Sequence, residues 1–171
     1  MRIYNILARL LDYPTAELIE HLPEIVQMLG ADSAITQQEQ EELESLITWM
    51  NSYDLIELQG AYVNTFDMVP EHDLHLTHHL FGDDRGRGPA LIDLSEHYKA
   101  NGLEVGEGEL PDFLPLILEY VSTLDEFQAR FFLSDAAKVL RVLAENLEKA
   151  ESPYACLLRI VERRGLLAQA A

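Results

Sequence analysis

Five residues between positions 72 and 79 have side chains suited to metal chemistry: His72, Asp73, His75, His78 and His79. On a helix, His75 and His79 stand four apart on one face, a spacing that can bind zinc or nickel. A helical di-metal centre also needs Glu-x-x-His motifs on facing helices. Neither that motif nor Asp-x-x-His occurs in the chain. The competing expectation is that these histidines cap, pack or line a surface. A helical metal carrier or sensor built on His72–His79 therefore stands as the alternative function, and the main reading assigns no metal.

Other reactive groupings are sparse. No Walker loop, GxGxxG, GxSxG or HExxH motif is present. Gly86-Arg87-Gly88 has no strand before it, which argues against a phosphate cradle. Cys156 is the single cysteine, so an internal disulfide is excluded and a small core residue is expected. Arg85 and Arg87 follow Asp83 and Asp84, where local salt bridges would brace the loop. Asp112 suits a helix N-cap. Tyr62 and Phe66 fall at i, i+4, either as a core pair or as an aromatic groove floor for a guest helix. These residues point to binding and away from catalysis.

The elements that must position them are helical nearly throughout. A first helix with Ile3, Leu7, Leu10 and Leu11 on one face ends at Tyr13-Pro14. A second runs from about Thr15 to Leu29, kinked or divided by Pro23 and stopped by Gly30. Thr36 and Glu39 form a capping box for a third. Asp54 caps a fourth, to about Phe66. Asp73 caps a short fifth, 74–81. A polar loop, 82–88, leads to a sixth helix with Pro89 in its first turn, ending at Asn101-Gly102. Asp112 caps a seventh, 113 to about 124. A helical stretch of unsettled register, 125–132, precedes a long helix capped by Ser134. Ser152-Pro153 opens the last, closed by Gly165. The expectation is an all-α, single-domain helical bundle over 1–165, with a frayed tail at 166–171.

Composition narrows the partners. Formal net charge is −18, which repels nucleic acid and anionic lipid. From Leu10 to Asp84 there are sixteen acids and no lysine or arginine. Such a surface can serve solubility alone or dock a cationic partner. No apolar run is long enough for a membrane helix, and the N-terminus lacks the features of a secretory signal. A cytoplasmic location follows as an expectation.

Several stretches are specific. YVNTFD (62–67), HLFGDDRGRG (79–88), YKANGL (98–103), ELPDFLPLILEYVSTL (109–124) and the opening LARLLDYP (7–14) resemble, in this order, the NarJ branch of the NarJ/TorD family of redox-enzyme maturation chaperones. The resemblance implies a TorD-like all-helical bundle, no enzymatic activity and no cofactor of its own. It implies a partner, the N-terminal segment of the apo catalytic subunit of a molybdenum reductase, with respiratory nitrate reductase first. The chaperone would assist molybdenum-cofactor insertion, delay membrane docking and meet cofactor-delivery proteins.

Carried over by position, Tyr62 and Phe66 match the aromatic motif of a groove-lining helix, and Arg85 and Arg87 match the loop arginines. Pro111, Asp112 and Glu119 match the second signature. Asp67, His79 and Leu114, within the matching stretches, complete the implied binding set. Phe113 and Phe81 stand where relatives often have histidine. The chain stops soon after Gly165, where many relatives continue into a long tail, so any function of that tail is expected to be absent or the chain shortened. The 82–88 loop should approach 110–115, with Arg85 or Arg87 meeting Asp112 or Glu119.

Overall fold

A computed structural model describes residues 2–166. Its helices are α1 (Arg2–Leu11), α2 (Ala16–Ala31), α3 (Gln37–Met50), α4 (Leu55–Phe66), α5 (Leu76–Phe81), α6 (Arg87–Ala100), α7 (Leu114–Thr123), α8 (Glu126–Lys149) and α9 (Ala155–Leu166), with one 3-10 turn at Pro70–His72. No strand occurs among the described residues; a single bridge pairs His75 with Phe113. The all-α expectation holds. No helix among them is long and apolar enough to cross a membrane. The expected frayed tail lies, beyond Leu166, outside the described residues.

Helix α1 is central. Ile3, Tyr4, Ile6, Leu7, Ala8, Leu10 and Leu11 are all buried, so it is apolar on more than one face and must be surrounded. It packs along α7, while α8 packs along α9. The predicted caps at Thr36 and Asp54 are present as capping boxes, and Thr15, expected only as the start of α2, is its N-cap.

Several boundaries differ from expectation. Pro23 does not divide α2, because Leu18 and Leu22 before it and Ile25 and Leu29 after it bury on one side. That shared burial outweighs one lost backbone bond. Gly30 lies inside α2 and does not stop it. Ser134 lies inside α8, which starts from an Asp125 capping box and continues unbroken. Gly165 does not close α9. It marks the point where α9 passes close to α8: a Cβ there would stand 3.1 Å from the Leu133 carbonyl oxygen.

The start of α9 is free of basic residues and its end is rich in them. Arg164 reaches α3, where its Nε and Nη2 donate to Glu39 Oε1 and Oε2 at 2.9 and 2.7 Å. Arg163 pairs with Glu42. Arg159 bridges Glu148 and Glu162.

Candidate partner-binding groove

Helix α5 has only six residues, too few to hold itself in water. Its stability comes from the 112–114 segment. The Leu76 N–H donates to the Asp112 carbonyl at 3.1 Å, and the Leu114 N–H donates to the Leu74 carbonyl at 2.9 Å. The Thr77 N–H and hydroxyl both donate to Asp112 Oδ2, at 3.0 and 2.5 Å. Asp112 therefore supplies a capping carboxylate to the start of α5 and not to its own helix. Phe113 takes the N-cap position of α7 without a side-chain bond. Asp112 is fully buried, and its Oδ1 has no hydrogen-bond partner among the described residues.

The same contact brings in the loop. Arg87 Nε donates to Thr77 Oγ1 at 3.0 Å, and Arg87 Nη2 stands 3.9 Å from Asp112 Oδ2. The expected approach of 82–88 to 110–115 is thus made by Arg87. Arg85 is exposed and pairs with no acid among the described residues. Glu119 faces a different cleft, beside Tyr98, Leu103 and Tyr120. Its carboxyl is raised by partial burial, then by Asp12 and Glu109.

Beside this junction lies an open cleft of about 400 Å³. One wall is α5, with Leu76, Leu80 and Phe81. The other is α6, with Ala90, Leu94 and His97. Ile117 of α7 and Phe132, Ala136 and Val139 of α8 form the base, and Asp112 lines it too. Asp93 and Asp135 are its exposed acids. Helix α6 buries only Tyr98, whose hydroxyl donates to the Pro111 carbonyl at 2.8 Å. His97 stacks on Phe132 at 5.6 Å and meets the Tyr120 hydroxyl at 2.7 Å.

Tyr62 and Phe66 are not part of this groove. Both are 4% exposed and sit in an aromatic cluster with Tyr154, whose ring centroid lies 5.0 Å from that of Phe66. The Tyr62 hydroxyl donates to the Leu11 carbonyl at 3.1 Å, and burial pushes its phenol well above the ordinary range. Of the two expectations for this pair, the core is where the structure puts it, because the rings close the gap between α1, α4 and the start of α9. Asp67 is the exposed C-cap residue of α4. Leu114 is fully buried in the core.

The histidines do not form the i, i+4 pair. Helix α5 begins at Leu76, so His75 is its extended N-cap residue and Asp73 lies outside it. Asp73 Oδ1 accepts from the His75 N–H at 3.0 Å and meets His75 Nδ1 at 2.7 Å. His79 Nε2 donates to the Asp73 carbonyl at 2.6 Å, and His72 Nδ1 donates to that of Thr65 at 2.9 Å. Among the described residues no three histidine, cysteine or acidic side chains converge as a metal ion would need.

Sequence reasoning missed Thr77, Leu80, Leu94, His97 and the α8 base. The spacing of Phe132, Ala136 and Val139 was legible as an apolar stripe, but the supposed break before Ser134 concealed it.

A family model described as the nitrate reductase delta subunit matches residues 31–158. The nitrate reductase molybdenum cofactor assembly chaperone NarJ of Escherichia coli K12 is 34% identical over 156 residues. That match covers 91% of this chain and 66% of the relative, so the chain spans just under two thirds of it. The probable chaperone NarJ of Bacillus subtilis 168 is 33% identical over 161 residues, 92% of this chain and 85% of the relative. The nitrate reductase-like protein NarX of Mycobacterium tuberculosis H37Rv is 29% identical over 156 residues, 91% of this chain and 23% of the relative. With three quarters of its length under the family model, the chain belongs to the nitrate reductase delta subunit family, that of the NarJ-type molybdoenzyme assembly chaperones.

Proposed function

We propose that this chain is a system-specific assembly chaperone and not an enzyme. In this reading it binds the N-terminal segment of the apo catalytic subunit of a molybdenum reductase, with respiratory nitrate reductase as the first candidate. It keeps that subunit open to molybdenum-cofactor insertion, with cofactor-delivery proteins as further partners, and delays membrane docking until the enzyme is complete. Its place is the cytoplasm.

One observation carries the reading: the open apolar groove is lined by residues of two signature stretches, Leu80 and Phe81 from 79–88 and Asp112 and Ile117 from 109–124. The names of the relatives support the class of partner. A guest helix of roughly fifteen residues would make about four turns, enough to lay one apolar face along the groove. Each Leu- or Phe-sized side chain buried contributes roughly 1.5–3 kcal/mol. Ordering and desolvation cancel much of that, which suits a guest that must later be released.

The test is co-purification from cells expressing the chain with the nitrate reductase catalytic subunit of the same genome. Capture of the full subunit, and loss of capture when its N-terminal segment is deleted, is the expected result. Equal capture of both forms would overturn the N-terminal assignment.

A further inference from the structure

Resting on that reading, the geometry points to Thr77, which borders the cleft but is nearly closed to solvent, as a positioning residue that sets the shape of the groove through Arg87 and Asp112. Thr77 lies in the first turn of α5 and is 7% exposed. Its hydroxyl has two partners. It donates to Asp112 Oδ2 at 2.5 Å and accepts from Arg87 Nε at 3.0 Å. Asp112 belongs to the segment leading into α7, and Arg87 is the first residue of α6. One hydroxyl therefore links three sides of the cleft at a single end.

Those sides have few other ties. Helix α5 is held from outside itself, through Asp112. Helix α6 offers a single buried residue, Tyr98, near its far end. Gly86, its N-cap residue, makes no side-chain cap bond. The near end of α6 is joined to α5 by the short 82–86 turn, where Asp84 N–H donates to the Phe81 carbonyl at 2.8 Å, and the Arg87–Thr77 bond is the side-chain link that sets the two helices against each other. Leu80 and Phe81 ride on one of these helices and Leu94 and His97 on the other. Losing the link would leave every apolar contact chemically intact while letting the walls separate. A guest that needs both walls then pays the ordering cost itself.

The experiment uses the full chain and a synthetic peptide covering the N-terminal segment of the nitrate reductase catalytic subunit. Thr77→Val keeps volume and removes the hydroxyl; Thr77→Ser restores it. Thr77→Val should bind the peptide roughly tenfold more weakly, and Thr77→Ser close to wild type, one hydrogen-bond junction accounting for a change of that order. Arg87→Met should give a similar loss, and the double variant no further loss, because the pair acts as a unit. Losses that multiply would mean that Arg87 contacts the guest directly, and would overturn the inference.

Spin labels at Glu96→Cys on α6 and Lys138→Cys on α8, with Cys156→Ser, provide a readout without peptide. Thr77→Val should broaden their distance distribution while the helical signal and denaturation midpoint show a folded chain. An unchanged distribution, or wild-type affinity in Thr77→Val, would overturn the inference and leave the proposed function standing. Failure of the wild-type chain to bind the peptide, with the distribution broadened as expected, would instead overturn the proposed function.

Discussion

Arg164 and Glu39 form a two-pronged ion pair that is nearly closed to water, each residue being 5% exposed. Arg164 Nη2 also donates to the Ala34 carbonyl at 3.0 Å, and Glu39 closes the Thr36 capping box. One carboxylate thus starts α3 and anchors α9. Arg164→Met leaves that carboxylate buried and unpaired, so a loss of about 3–5 kcal/mol is expected by urea denaturation at neutral pH. Burial alone would raise the Glu39 carboxyl, but Arg164 and Thr36 outweigh it and hold it below the ordinary value. Its contribution is complete above the unfolded-chain value and disappears as pH falls through the lower folded value. Acidification should therefore weaken the wild type and narrow its lead over Arg164→Met. A constant gap from neutral to acid pH would contradict this linkage.

Two helical glycines should respond to alanine with opposite signs. At Gly165 the new methyl meets the Leu133 backbone carbonyl at 3.1–3.2 Å, and α8 and α9 must shift, costing about 1–3 kcal/mol. At Gly30 the nearest atom is the Gln40 side-chain nitrogen, at 3.7 Å. Gly30→Ala should stabilise by about 0.5–1 kcal/mol through helix propensity. Thermal melts of both variants decide the point; equal shifts would remove the close helix crossing as the reason for Gly165.

Much of this fold was legible because caps and apolar periodicity are local. Thr36 and Asp54 cap within three residues of themselves, and sequence displays that directly. Asp112 was misread for the opposite reason. Its partner, Thr77, is 35 residues away, and an aspartate before a helix looks the same whether it caps that helix or another. Tyr62 and Phe66 were ambiguous on similar grounds, since i, i+4 spacing places two rings on one face without saying whether that face meets solvent. The groove was illegible because its lining comes from four helices and none supplies more than four side chains.

Phe66 and Leu80 separate core from groove. Phe66→Ala empties a space inside the aromatic cluster and should cost about 3–5 kcal/mol of stability. Any form of it that remains folded should still bind the peptide. Leu80 is 59% exposed, so Leu80→Asp should melt near the wild type and lose binding. Calorimetric titration beside a denaturation curve for each variant tests both halves. Retained affinity in Leu80→Asp would move the guest off this groove.

Charge should add a second, separable component to guest binding. Helices α2 to α5 lie in the stretch that has no lysine or arginine, and Asp93 and Asp135 stand at the cleft itself. A guest helix with basic residues flanking its apolar face would feel this field before contact. Exposed charges are screened over about 10 Å at 0.1 M salt, and such charges act on encounter more than on residence. Raising ionic strength should therefore slow association while dissociation changes little. The apolar component, read as the affinity that survives high salt, should fall with Leu80→Asp. Asp93→Asn with Asp135→Asn should flatten the salt dependence and leave that surviving affinity in place. Stopped-flow mixing across a salt series measures both rates. An association rate indifferent to salt in the wild-type chain would reduce the acidic half to a device for solubility.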